Sequence, residues 1–137
     1  MALPPARLFD PVKDKHLIPQ LAQIHADCIM SDHTIANFLP PLDHTKLINY
    51  WLTRSSHIEE GEREIIIQAT PDATIRGKED LMGYVSLHMP PSETGPFRGR
   101  IEKLLVSPKH RQKGVARRVM EKLEEVAIAR GRGLLVQ

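Results

Sequence analysis

The chain has 137 residues, a length that fits one domain over residues 1–137. Hydrophobic residues make up 41% and charged residues 26%, a mixture that excludes a disordered chain, while aromatics at 4% leave the core to Leu, Ile, Val and Ala. The net charge of +2 gives no general pull toward nucleic acid or an anionic membrane.

One cysteine, Cys28, cannot build a disulfide framework and fits a reducing compartment. Met1 to Asp10 lack a basic cluster followed by an apolar run, so no secretory signal is read there. No apolar stretch approaches the ~18 residues of a membrane span. These features predict a soluble, cytoplasmic protein without a membrane partner.

In chain order, the apolar Arg7 to Phe9 reads as a first short strand. From about Asp14 the period changes, and Leu17, Leu21, Ile24 and Cys28 fall on one stripe of a first helix that fades near Ser31. Pro19 then lies in its first turn, where a missing N–H costs little. After Pro40-Pro41, Asp43 is placed to cap a second helix, with Leu47, Trp51 and Ile58 on its apolar side and Gly61 at its close. The β-branched run Ile65-Ile66-Ile67 predicts a strand over Glu64 to Thr70. Leu81 to Met89 is its hairpin partner across a charged loop from Pro71 to Asp80.

Arg100 to Val106 is the next strand, ended by Ser107-Pro108. A basic loop from Lys109 to Lys113 leads to Gly114 and a long helix with Val115, Val119, Leu123, Val126 and Ala127 on one face. Gly131-Arg132-Gly133 ends the helix, and Leu134-Leu135-Val136 begins a buried strand. The predicted order is β-α-α-β-β-β-α-β.

The stretch from Val106 to Ala116 carries the chemistry: strand, basic loop, glycine, helix. The first N–H groups of a helix have no internal partner, and the helix dipole adds partial positive charge there. Together they favour a phosphate. Gly114 and the small Ala116 let a ligand approach the backbone, and Arg111, Lys113 and Arg117 surround it with positive charge. A pyrophosphate suits this arrangement.

The run Arg111-Gln112-Lys113-Gly114-Val115-Ala116 resembles the (Arg/Gln)-x-x-Gly-x-(Gly/Ala) signature of GNAT acetyltransferases, and Leu104-Leu105-Val106-Ser107-Pro108 resembles the strand before it. Arg100 to Leu135 is most similar to the branch that includes tabtoxin-resistance acetyltransferases. The resemblance implies an α/β acyl-CoA N-acyltransferase fold, a mixed and mainly antiparallel sheet flanked by helices. It implies acetyl-CoA as co-substrate, with Leu104, Leu105 and Val106 along the pantetheine. Arg111, Gln112, Lys113, Gly114, Val115, Ala116 and Arg117 would hold the pyrophosphate. The implied reaction is direct acetyl transfer to a primary amine of a small molecule. The strand's backbone N–H groups would polarise the thioester carbonyl.

Two departures from the family pattern stand out. The family normally adds a helix and two more strands after the position of Gln137, so the resemblance implies either a chain truncated at its C-terminus or one completed by a partner chain, and an exposed apolar last strand invites pairing into a homodimer or aggregation. Many members also place a catalytic glutamate where this chain has Arg100, and arginine cannot act as a base at neutral pH. Strand alternation puts Arg100, Glu102, Leu104 and Val106 on one face. Glu102 is then the nearest carboxylate able to take a proton from the acceptor amine. An ion pair with Arg100 or Lys103 is its structural alternative.

Other features carry weaker signals. His25, Cys28 and His33 have a spacing that suggests metal ligands, but Cys28 belongs to the apolar stripe and reads as a structural thiol with no basic neighbour in sequence. Trp51 fits the core, whereas Tyr50 and Phe38 lie where family members border the acceptor, and Asp32, His33 and Asn37 of the linking loop read equally as acceptor contacts or as solvated loop residues. Between Arg98 and Arg118 there are eight Lys/Arg against Glu102 alone. That run supports a nucleic-acid or anion-binding module as the alternative function. The scarcity of aromatics for stacking argues against nucleic acid, and a non-catalytic fragment of the fold is the third reading.

Overall fold

Hydrophobic periodicity sorts this chain into elements that the computed structural model, which describes residues 4–32, 43–71, 77–91 and 98–136, assembles around one sheet. The strands are β1 (Arg7–Leu8), β2 (Arg63–Pro71), β3 (Glu79–His88), β4 (Arg98–Val106) and β5 (Leu134–Val136). The helices are α1 (Ile18–Asp32), α2 (His44–Glu59) and α3 (Val115–Ala129). The sheet order is β1-β2-β3-β4-β5, antiparallel from β1 to β4 and parallel between β4 and β5. The expected mixed, mainly antiparallel sheet with flanking helices is therefore present.

Each face of the sheet carries its own apolar cluster. On one, Ile65, Ile67 and Tyr84 pack with Leu17, Leu21, Ile24 and Cys28 of the α1 stripe and with Leu47 and Trp51 of α2. On the other, Ile66, Val85 and Leu87 pack with Val115, Val119, Leu123, Val126 and Ala127, the predicted face of α3. Trp51 is fully buried and meets Tyr84 edge-on, with ring centroids 5.0 Å apart. Asp43 caps α2 by accepting from the Thr45 and Lys46 amides.

The first helix starts later than its sequence pattern suggests. Asp14 does not cap it, because its carboxylate accepts from Arg7 Nη1 at 2.7 Å and from the Asp10 amide at 2.8 Å. A 3-10 turn over Lys15–Leu17 intervenes, and α1 begins at Ile18 with Pro19 in its first turn. The hairpin strands also run further into their loop than predicted, pairing as far as Pro71 with Glu79.

Two expectations about faces are corrected. The alternation along β4 breaks at Lys103, whose φ is 51°. Across the ladder, Glu102 pairs with Ser86 and Leu105 with Tyr84, with a register shift between them. This β-bulge inserts one residue. Arg100 and Glu102 therefore share a face with Leu105, on the α1/α2 side, whereas Val106 packs toward α3. The predicted set of Arg100, Glu102, Leu104 and Val106 does not lie on one face. Likewise β5 is not a buried strand. It has one strand neighbour among the described residues, Leu134 and Val136 are 43% and 36% exposed, and only Leu135 packs inward.

Candidate functional site

The exit of β4 is locked before the chain turns into α3. The Ser107 amide donates to the Met82 carbonyl at 2.8 Å, and a 3-10 turn over Pro108–His110 buries His110. His110 Nε2 lies 2.7 Å from Asp80 Oδ2, and its Nδ1 lies 3.3 Å from Lys113 Nζ. Lys109 Nζ reaches the other Asp80 oxygen at 3.5 Å. Asp80, at the start of β3, thus anchors the basic loop at two points, through His110 and Lys109, and His110 extends the contact to Lys113. Neither Asp80 nor His110 was singled out from sequence, because their pairing spans a separation of 30 residues.

Beyond this anchor, Gln112 and Gly114 both adopt left-handed backbone, with φ of 63° and 77°. Such turns aim successive N–H groups into one concavity. Gly114 stands at the N-cap of α3 and brings no side-chain cap. The first-turn N–H groups of α3 are therefore open to a ligand. The approach of α3 to the sheet depends on Gly83: a Cβ there would meet Val115 Cγ1 at 2.8 Å and the Leu105 carbonyl at 2.9 Å. The bare backbone of β3 lets the helix start sit directly on β3, beside the end of β4.

A cavity of about 470 Å³ opens at this junction. Leu104, Leu105 and Val106 line it from β4, Arg111, Gln112, Gly114, Val115 and Ala116 from the loop and helix start, and Cys28 and His110 complete it. Its volume and largely apolar wall suit a small-molecule ligand with one charged end. Lys113 and Arg117 fall on the far side of Gly114, in an adjoining depression shared with Arg118 and Glu121. The ten residues expected to hold a cofactor are thus divided between two hollows that meet at Gly114.

Cys28 differs in setting from the sequence expectation. It is buried, its Sγ donates to the Val106 carbonyl at 3.4 Å, and Arg111 Nη2 approaches the sulfur at 3.6 Å. Packing of α1 across the end of β4 brings a cation that the sequence does not place beside this thiol. Arg111 Nη2 also donates to the Val106 carbonyl at 3.3 Å. His33, Asn37 and Phe38 lie outside the described residues.

Glu102 faces a polar group at the other end of the α1/α2 side. Its Oε1 lies 3.6 Å from Arg63 Nη2 and 3.7 Å from His88 Nδ1. Among the described residues, the ion pair of Glu102 thus runs to Arg63, with the His88 ring beside it, and not to Arg100 or Lys103. Burial, then the Arg63 charge, holds His88 below the usual imidazole range, against the pull of Glu102. Its ring is therefore neutral at pH 7. The basic run from Arg98 to Arg118 divides along the same lines: Arg100 and Lys103 flank this polar group, whereas Arg111, Lys113, Arg117 and Arg118 gather at the helix start.

The edge of β4 that faces β5 is paired only over Arg98 to Arg100. Beyond Arg100 that edge has no strand partner among the described residues. No helix among them is long and apolar enough to cross a membrane.

The pattern of the Acetyltransferase (GNAT) family matches residues 32–136. No curated protein sequence matches. Among solved structures, a GNAT family acetyltransferase of Staphylococcus aureus superposes with a TM-score of 0.69 at 14% identity, covering 99% of this chain and 85% of that one. The yncA protein of Salmonella typhimurium, solved with its cofactor acetyl-CoA, gives 0.69 at 13% identity, covering 98% and 68%. The ribosomal-protein-alanine N-acetyltransferase of Brucella melitensis gives 0.62 at 17%, covering 98% and 78%. At these identities the likeness is one of fold.

Proposed function

The chain belongs to the GNAT acetyltransferase family, and from that premise we propose that it moves an acetyl group from acetyl-CoA to the primary amine of a small molecule by direct transfer. The observation that carries this reading is the cavity between β4 and the uncapped start of α3. Its parts fit the co-substrate in order. The left-handed turn at Gly114, the first N–H groups of α3 and Arg111 suit a pyrophosphate, with Lys113 and Arg117 beside it. Leu104, Leu105 and Val106 offer an apolar wall to the pantetheine arm. The open edge of β4 beyond Arg100 presents N–H and C=O groups that an extended amide-bearing arm can pair with.

The chain's own groups then supply the transfer chemistry. Backbone N–H groups at the β4 bulge are fixed dipoles that can stabilise negative charge developing on a thioester carbonyl. Holding the amine against that carbonyl converts a bimolecular encounter into an intramolecular one. Glu102 takes the ammonium proton, directly or through a water, with His88 beside it as a neutral imidazole able to pass the proton outward. No side chain needs to be acylated. Cys28, though it lines the cavity, is buried and hydrogen-bonded to a carbonyl. Placement in the tabtoxin-resistance branch rests on Arg100 to Leu135 and belongs to the same reading.

Calorimetric titration with acetyl-CoA tests the cavity, and saturable one-to-one binding is expected. A folded sample that takes up no acetyl-CoA would remove the cofactor assignment. Glu102→Gln should keep that affinity while lowering kcat at neutral pH by about 10²-fold. A rate unchanged across the pH profile would take Glu102 out of the reaction.

A further inference from the structure

The polar group around Glu102 holds more positive charge than its one carboxylate balances. Arg63, on β2, is 4% exposed at its side chain and donates Nη1 to Ser86 Oγ at 2.6 Å. Its Nη2 makes the long contact to Glu102, while its Nε is buried with no hydrogen-bond partner. On α2 above it, Arg54 stacks its guanidinium 3.9 Å from the centroid of the Tyr50 ring, and its Nε is likewise buried and unpartnered. Lys103, at the β4 bulge, sits 5.9 Å from the same ring. Burial lowers the pKa of Arg63 and of Lys103; Glu102 opposes the shift in both, and Arg54 adds to it in both. Three cations from β2, α2 and β4 are therefore grouped beside one carboxylate, and two of them hold a buried Nε–H with no acceptor.

Native proteins pair their buried polar groups, and buried charges above all. Two guanidinium groups that each hold a buried Nε–H without an acceptor, beside excess like charge, are the arrangement expected where a ligand anion balances the cluster. The guanidinium fork matches the oxygens of a carboxylate or phosphate. The basin also has a defined place relative to the transfer site. Glu102 lies two residues before Leu104, where the cavity wall begins, and shares its sheet face with Leu105 of that wall.

Resting on the acetyltransferase reading above, we infer that the acceptor is an amine that also carries an anionic oxyacid group, bound by Arg54, Arg63 and Lys103. Glu102 then has two roles in one place. It partly neutralises the basin when empty, and it faces the ammonium end of a zwitterionic acceptor when filled. A neutral or polycationic amine would leave the guanidinium donors open and add to the repulsion, so the basin selects against both.

The test measures acetylation with matched acceptors: amino acids, their methyl esters and decarboxylated amines, and phosphoethanolamine against ethanolamine. The expected result is a kcat/KM for the best acid about tenfold or more above its neutral counterparts, as a charge-assisted contact supplies. Whichever of the amino-acid and phosphoethanolamine arms carries the preference distinguishes carboxylate from phosphate. Arg54→Gln should raise KM for that acid and bring the acid-to-neutral ratio down toward one. Lys103→Asn, which tolerates the left-handed backbone at the bulge, provides a second variant with the same expectation. Equal or better turnover of neutral amines overturns the inference, as does a ratio that survives both substitutions. Silence across the whole panel, with acetyl-CoA bound, overturns it too. Absence of acetyl-CoA binding is a separate result, which removes the cofactor reading instead.

Discussion

His25 sits on α1 with 1% exposure, and its Nδ1 accepts a hydrogen bond from Trp51 Nε1 at 3.2 Å. Burial, then the positive charge of Lys103, pushes its pKa down to about 4. The folded state thus holds a neutral imidazole, while the unfolded chain takes up a proton near the ordinary value of about 6.5. Above that pH neither state is protonated and no penalty arises. As pH falls below it the unfolded state binds the extra proton, so stability declines until the folded pKa is reached. The decline is expected to total roughly 3 kcal/mol. Urea melts at a series of pH values would follow it. His25→Asn, which keeps an acceptor near Trp51 but cannot titrate, should flatten most of the slope. A variant that loses stability with acid as steeply as the parent would show that other groups control it. At this scale the sequence is legible where a residue obeys a period. Trp51 on its stripe and Asp43 at its cap both stand where the pattern puts them. The face of Glu102 is not legible, because nothing in the letters Lys103-Leu104 announces a non-glycine residue at φ 51° that reverses the alternation. Arg54 and Arg63 are hidden for a related reason: their meeting depends on α2 folding over β2, not on any local spacing.

Between elements, the two contacts that shape the site are made by glycines with opposite demands. Gly83 has ordinary backbone but no room, since a Cβ would press on Val115 Cγ1 and on the Leu105 carbonyl. Gly114 has open space around it but a φ of +77°. Gly83→Ala should therefore push α3 off the sheet, with a loss of about 1–3 kcal/mol from overpacking. Acetyl-CoA binding should weaken with it, because the helix start moves relative to Leu104 and Val106. Adding Val115→Ala removes one clashing atom while the carbonyl stays, so the double variant should recover part of the melting temperature. Chemical denaturation and calorimetry on the three variants check this. A Gly83→Ala protein with parental stability and affinity would mean that the helix does not seat as closely as Gly83 permits. The helices and the hairpin were readable because each buries a stripe of regular period. The exposure of β5 was not, since an apolar run reads the same whether its strand lies inside a sheet or at an edge.

For the molecule as a whole, the start of α3 gathers charge of one sign. Arg117 and Arg118 occupy the first turn, where the helix dipole already disfavours cations, and Arg111 and Lys113 stand in the loop before it. The ion pair from Arg117 to Glu121, 2.9 Å long, joins side chains 84% and 62% exposed, so it offsets little of this. An anion at the helix start relieves both the dipole term and the mutual repulsion, and the folded state should be stabilised by whatever anion fits. With acetyl-CoA at 100 times its Kd, linkage sets the gain at about 2.7 kcal/mol. For a chain of this size that corresponds to a rise of about 8 °C in Tm. The rise should shrink as sodium chloride screens the charges. Gly114→Glu places a carboxylate and a strained backbone where the anion would sit. Its unliganded Tm therefore sets its own baseline, and the informative quantity is the ligand-induced shift, which should vanish. A shift of equal size in parent and variant would mean that acetyl-CoA binds elsewhere. A shift indifferent to salt would mean that the apolar wall of Leu104 to Val106, not the charge gathered at α3, dominates the binding.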